Sequence, residues 1–270
     1  MADRHPVEPA LAAATKKSVR RLRALGRDPK ARRDEGLFLV EGPRAIEAAL
    51  DRNAPLEQVL FGLGARRAFA PLATRLEALR VPVDDLREGA LERIATTRTP
   101  QPVLAIASIR AAALVDIARD GHVVVVVDVA DPGNAGTVLR SAEASGAAAV
   151  IFTGESVDAY NPKVVRASAG AIFGVPVVEE DDPVAVLDRL AATGRCRLGA
   201  TPSGGTSYDQ AALGGSAIVL GGEARGLGPA VTEQLDGTVS IPMAAATESL
   251  NVAMAATVLC FEAQRQRTAT

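Results

Sequence analysis

Three stretches in the second half of this 270-residue chain combine glycines with polar side chains in patterns that could bind and act on a ligand. The first, DVADPGNAGTVLRSAEASGA (128–147), contains an Asp-Pro-Gly turn, Asn134, Gly136 and Arg140. Asn134 is a favourable N-cap, and the spacing predicts a helix that carries Arg140 on its second turn, facing back towards the preceding strand. Asn134, Gly136 and Arg140 can share one face, with Gly136 leaving room beside the arginine. A capped helix with one surface arginine fits the same residues. In the second stretch, IVLGGEARGLGP (218–229), Gly221 and Gly222 directly follow an apolar run, so backbone can come close to a ligand. No Lys-Ser or Lys-Thr follows them, and the three-glycine dinucleotide spacing is absent. A glycine turn without a ligand also fits. The third, SIPMAAATESLNVAMAATVLCFEAQRQR (240–267), ends a strand at Ile241-Pro242-Met243 and opens a helix at Glu248 and Ser249. Its apolar positions Leu250, Met254, Val258 and Phe261 are expected to form one buried stripe, which leaves Ser249 and Asn251 to point at a ligand.

The chemistry should need neither metal nor imidazole. The two histidines are His5, near the start, and His122, at the entrance to a strand. Cys196 and Cys260 lie in segments that read as a buried strand and a buried helix, without metal-ligand spacing, so free, inert core thiols are expected. Net charge is −2, yet nine basic residues and one acid, Asp28, lie between Lys16 and Arg33. Surface helices usually interleave signs, so this run, with Arg20, Arg21, Arg32 and Arg33, is expected to bind phosphate rather than be a merely solvated face. Aromatic residues make up only 3%, so recognition of a nucleic acid would rest on shape and phosphates more than on base stacking.

These stretches need a scaffold, and the length allows two domains. From residue 16 to 110 the pattern alternates: a basic helix, a strand at Leu37–Val40, a helix at Pro43–Leu50, a strand at Val59–Phe61 and a helix at Ala65–Leu79. A strand at Val81–Val83, a short helix through Leu91 and a strand at Val103–Ser108 complete a small α/β sandwich. An Ala-rich segment, 109–120, is expected to be helical. Residues 111–270 then read as a second α/β domain, with VVVVV (123–127) as a fully buried strand and further strands at 148–152, 175–179, 195–200, 217–220 and 238–241. Continuous apolar strands alternating with helices predict a parallel sheet, whose ligands bind at the carboxyl ends of its strands. Residues 1–15 are expected to be loose. They lack the apolar core of a secretory signal, and no run approaches a membrane span, so a cytoplasmic protein without a membrane partner is expected.

The three stretches resemble, in order, spacing and character, the three motifs of the SpoU (TrmH-like) branch of the SPOUT RNA 2′-O-ribose methyltransferases. The similarity is close over Val123 to Arg267, and EGLFLVEGPRAIEAAL and TRTPQPVLAI more loosely resemble that family's N-terminal substrate-binding domain. The resemblance implies a C-terminal trefoil knot, a homodimer with its active site at the subunit interface, S-adenosylmethionine as cofactor, no metal, and structured RNA as substrate, ribosomal before transfer RNA. It also implies that Thr201, Leu220, Gly221, Gly222, Ile241, Met243 and Leu250 hold the cofactor. Asn134, Arg140, Glu223, Ser249 and Asn251 would form the catalytic wall, with Arg140 holding phosphate and stabilising a developing alkoxide rather than acting as a simple base. Two other classes compete: a nucleotide-dependent α/β enzyme, favoured only by the glycine turns, and a non-catalytic RNA-binding protein on the same fold, which the intact Asn134, Arg140, Glu223 and Asn251 argue against.

Overall fold

The computed structural model describes residues 16–97, 99–223, 225–244 and 249–269. The segment expected to be loose, 1–15, and Glu248 lie outside them. Two compact units are present, one reaching Ile109 and including Tyr160–Pro162, the other formed by Arg110–Ala159 and the chain from Lys163 onward.

In the first unit, α1 (Lys16–Arg27) buries Ser18, Leu22 and Leu25 and exposes Arg20, Arg23 and Arg27, a helical division of apolar from basic faces. There follow α2 (Pro29–Glu35), β1 (Leu37–Glu41), α3 (Pro43–Asp51), β2 (Leu56–Phe61), α4 (Ala65–Ala68), α5 (Ala70–Ala78), β3 (Val83–Asp85), α6 (Ala90–Ile94) and β4 (Val103–Ser108). The sheet order is β1-β4-β2-β3, with β4 antiparallel to both of its neighbours. Leu22 and Leu25 pack on Leu39, Leu60, Leu104 and Ile106 to form its core. The single helix expected over 65–79 is broken at Phe69, ahead of Pro71, whose missing N–H suits the first turn of α5 rather than a helix interior. The strand expected at 81–83 is displaced to 83–85, because Pro82 has no N–H for a ladder and offers only its carbonyl, to Val59 N at 2.9 Å.

The basic run is not one uniform stripe. Arg32, expected to bind phosphate, is 1% exposed, and its Nη1 donates to Leu25 O at 2.6 Å, satisfying a carbonyl near the end of α1. Arg21 is half-buried and paired with Glu35 at 2.6 Å. Arg20 and Arg33 are exposed, as are Arg23, Arg27 and Lys30.

In the second unit, β5 (Val123–Val127), α7 (Pro132–Ala144), β6 (Ala149–Thr153), α8 (Pro162–Ala167), β7 (Val177–Glu180), α9 (Pro183–Ala192), β8 (Arg197–Thr201), β9 (Thr206–Ser207), β10 (Ala217–Gly221), α10 (Pro229–Thr232), β11 (Gly237–Ser240) and α11 (Val252–Thr268) follow in order. The sheet runs β7-β6-β5-β10-β8-β11-β9, with every pair parallel. All five valines of β5 are buried, as a parallel strand covered on both faces requires. Strand order reverses between β5 and β10, which makes their carboxyl ends the crevice of the sheet.

Three expectations fail here. Segment 109–120 is not a helix: it holds one 3-10 turn, Leu114–Asp116, and joins the edge of β7 through a bridge between Ala111 and Val177. Twelve residues are marginal as a lone helix, and pairing with a sheet edge outweighs alanine's propensity. Second, α11 begins at Val252 and buries Ala253, Ala256, Leu259, Cys260 and Ala263, while Met254 and Phe261 are 61% and 45% exposed. Small residues let α11 come close to α7, where Ser141 Oγ meets Thr257 Oγ1 at 2.7 Å, so the larger apolar side chains are left outside. Third, Cys196 is exposed just ahead of β8; Cys260 is buried, and burial pushes its thiol up to about 12.

Candidate active site

At the end of β5 the chain turns through Asp128, whose φ of 57° is a left-handed conformation that side chains other than glycine seldom adopt. Its carboxylate accepts from Glu155 N at 2.8 Å, and its carbonyl lies so near Gly222 that a Cβ there would collide with it. Three residues on, Asp131 caps α7 by accepting from Asn134 N at 2.8 Å. Asn134, expected to be the cap, is therefore already inside the helix, and its amide is free to reach outward.

That amide joins the three motif stretches. Asn134 Nδ2 donates to Glu223 Oε1, and Asn251 Nδ2 donates to Asn134 Oδ1 at 3.0 Å. Asn251 in turn is the N-cap of α11, its Oδ1 accepting from Ala253 N at 2.9 Å and Met254 N at 3.4 Å. The turn after β10 is closed by Gly226 N donating to Gly222 O at 2.9 Å, and it folds back so tightly that a Cβ on Gly221 would strike the Gly226 backbone. Both glycines are thus required by the space available.

Beside this network lies a cleft of about 350 Å³. Thr201, Leu220, Gly221, Gly222, Ile241, Met243 and Leu250 all line it, together with Glu223, Ser249 and Asn251. The structure therefore brings together every residue expected at the cofactor and all of the expected catalytic wall except Arg140, with Asn134 bound to its edge through Glu223 and Asn251. Ala200, Pro202, Val239, Val252, Ala255 and Leu259 also line the cleft and were not foreseen. Pro202 and Ala200 were legible, since they flank Thr201 at the carboxyl end of β8; Val252, Ala255 and Leu259 depend on how α11 crosses the sheet.

Arg140 stands apart. It is exposed on the third turn of α7, not the second, and is not among the cleft residues. It lies six positions beyond Asn134 on α7, which turns the two roughly 120° apart on the helix. Gly136 leaves no room beside it for a ligand: a Cβ there would overlap Ala167 and lie 2.8 Å from Ser168 N, so this glycine lets the end of α8 approach α7. Among the described residues no group of histidines, cysteines and carboxylates could hold a metal ion, and no helix is long and apolar enough to cross a membrane.

Residues 121–261 match the model of the SpoU rRNA Methylase family, and residues 16–105 match that of the MRM3-like substrate binding domain. The chain is similar to the 23S rRNA (uridine(2479)-2′-O)-methyltransferase of Streptomyces viridochromogenes, with 33% identity over 86% of this chain and 84% of the relative. It is also similar to the 23S rRNA (guanosine(2553)-2′-O)-methyltransferase RlmP of Bacillus subtilis, with 31% identity over 86% of this chain and 90% of the relative. Among solved structures, the SpoU methyltransferase AviRb from Streptomyces viridochromogenes in complex with the cofactor AdoMet superposes with a TM-score of 0.81 and 31% identity, over 93% of this chain and 97% of that one.

Proposed function

The chain belongs to the SpoU rRNA Methylase family, and from that premise we propose that it methylates a ribose 2′-hydroxyl of large-subunit ribosomal RNA in the cleft beyond β5 and β10. It is an S-adenosylmethionine-dependent RNA 2′-O-methyltransferase. The observation that carries the site reading is the Asn134 amide, which links Glu223 and Asn251 from two distant stretches at the rim of one cleft.

The cleft suits the cofactor. Its volume lies within the range of roughly 300–1,000 Å³ common to small-molecule sites, and it offers an apolar floor with bare backbone at Gly221 and Gly222. When bound there, S-adenosylmethionine supplies an electrophilic sulfonium methyl. Leu220, Ile241, Met243 and Leu250 exclude water from it, and Thr201 and the glycine backbone offer polar contacts. A hydroxyl that attacks a methyl group must be aligned and must lose its proton. Glu223, the one ionisable side chain among the described cleft residues, is the available acceptor, and Asn134 and Asn251 fix its position. Arg140 serves as a holder of phosphate and stabiliser of developing negative charge.

The first unit serves as the RNA-binding domain, over residues 16–110, and 111–270 as the methyltransferase domain, a division supported by the two family matches. Exposed Arg20, Arg23, Arg27, Lys30 and Arg33 form its phosphate-binding face. The trefoil knot and the homodimer belong to the same reading. Met254 and Phe261 form an exposed apolar strip on α11, alongside α7, which carries Arg140. A second copy covering that strip would bring Arg140 to a subunit boundary. Ribosomal RNA is favoured over transfer RNA because both relatives named above, aligned over most of their length, are 23S rRNA enzymes; the same substrate implies a cytoplasmic protein. Mapping 2′-O-methylated nucleotides in total RNA from cells with and without the protein tests this directly. One large-subunit nucleotide should lose its methyl group, whereas a loss confined to transfer RNA would overturn the substrate assignment.

A further inference from the structure

The described segments on and beside the cleft, 128–134, 201–205, 221–223, 225–228, 241–244 and 249–251, contain three acids, Asp128, Asp131 and Glu223, and a single basic residue, Arg225. Among the described residues lining the cleft itself there is no lysine or arginine. A nucleic-acid backbone carrying a charge at every phosphate is repelled by such a rim unless a cation meets it there. Two of the acids are partly offset by backbone donors, Asp128 by Glu155 N and Asp131 by Asn134 N, but neither brings in a positive side chain.

Arg225 is held where it can meet that need. It lies in the turn whose ends are locked by Gly226 N donating to Gly222 O at 2.9 Å and by the close approach of Gly221 to Gly226. Two residues before it, Glu223 is tied to Asn134, so the turn is anchored at the reacting end as well. The Arg225 side chain is exposed, and no hydrogen bond or ion pair with any described residue engages it. This differs from Arg21, Arg66, Arg197 and Arg265, which are all committed to carboxylates. An arginine on a turn closed by backbone contacts, unengaged by any described residue and beside a cleft whose one ionisable side chain among the described residues is Glu223, is suited to a charge-assisted contact with an anion that arrives with the substrate.

We propose that Arg225 binds a backbone phosphate adjacent to the target ribose, and so sets the substrate RNA in register over the cleft. The assignment rests on the reading of the protein as an RNA 2′-O-methyltransferase. Arg225 sets the register of the RNA at the cleft, whereas Arg140, outside the cleft lining, is given stabilisation of developing charge as well as phosphate binding. The test is single-turnover methyl transfer from labelled S-adenosylmethionine to large-subunit ribosomal RNA from cells lacking the protein, measured against RNA concentration at several salt concentrations. Arg225→Ala should raise the half-saturating RNA concentration about tenfold, with the loss falling on KM rather than kcat, and should reduce the slope of log affinity against log salt by roughly 0.7–1. Arg225→Lys should restore most of that slope, because counterion release counts charge rather than shape. Wild-type KM and salt slope in Arg225→Ala would overturn the proposal, as would a fall in kcat alone. Loss of S-adenosylmethionine binding by Arg225→Ala in calorimetry would also overturn it, by showing that the side chain supports the turn. Wild-type protein that transfers no methyl group to this RNA would defeat the underlying reading and the Arg225 assignment together, a result distinct from a failure confined to the variants.

Discussion

Asn251 performs two tasks with two atoms. Its Oδ1 caps α11 and its Nδ2 holds Asn134, so removing the side chain and altering one end of it should have separable effects. Asn251→Ala should lower stability by about 1 kcal/mol, as loss of an N-cap does, and should also lower turnover. Asn251→Asp keeps the capping oxygen but loses the donor and adds a charge near Glu223. It should melt close to wild type yet methylate at least tenfold more slowly. Equal melting and equal rates for wild type and both variants would remove Asn251 from the site. Arg140 is tested by the opposite pattern. Arg140→Ala should leave S-adenosylmethionine affinity in calorimetry nearly unchanged while single-turnover methylation falls roughly 100-fold, as when a preorganised donor to developing charge is lost. A wild-type rate would show that the exposed guanidinium is only a surface group.

At the scale of elements, α1 and α2 show how a basic run is divided among different tasks. Arg32 closes the end of α1, Arg21 pairs with Glu35, and the remainder faces solvent. Replacing Arg20, Arg23 and Arg27 together by Ala should weaken RNA binding and flatten its salt dependence, whereas Arg32→Ala should destabilise the fold with little change in salt slope. An unchanged slope in the triple variant would make the exposed run a solvated face. A second element-level device lies at the end of α7 remote from the cleft. Arg267 donates to Ser145 O at 2.6 Å and Gly146 O at 2.8 Å, two carbonyls just past the end of α7, and His122 Nε2 lies 3.2 Å from Ser145 Oγ. Burial, and then Arg267 and Arg195, push the His122 imidazolium down to about 4. A folded value below the ordinary 6.5 means that the native state favours neutral imidazole, so this stabilisation is present above about pH 6.5 and is lost as pH falls through 4. The loss is on the order of 3 kcal/mol. Chemical denaturation between pH 7 and 4 should therefore be steeper in pH for wild type than for His122→Asn, and parallel curves would refute this.

For the molecule as a whole, α11 leaves two large apolar side chains in solvent. Met254 and Phe261 are exposed while alanines of the same helix are buried, an arrangement that costs water contact unless another surface covers the strip. Phe261→Glu should convert a dimer to a monomer in sedimentation velocity and lower methylation, while leaving the monomer folded by circular dichroism. An unaltered sedimentation coefficient, with wild type itself a dimer, would place the interface elsewhere.

The sequence by itself determined the parallel sheet and the positions of the glycine turns at the carboxyl ends of its strands. Each follows from local facts: a five-valine run can only be a doubly covered strand, and paired glycines after a strand mark where backbone must come close. Residues Gly221 and Gly222 were legible for that reason, and the collisions a Cβ would make at both positions supply the steric cause. Tertiary structure alone decided matters that depend on what stands opposite. Periodicity gives α11 an apolar stripe but not its partner, and the close approach of α7 selected the alanine face over Met254 and Phe261. Charge clustering marks α1 and α2 but does not reveal that one guanidinium of the run is needed to satisfy a buried carbonyl. The bonds from Asn134 to Glu223 and Asn251 span 89 and 117 residues, and only the order of strands in the sheet brings those stretches together.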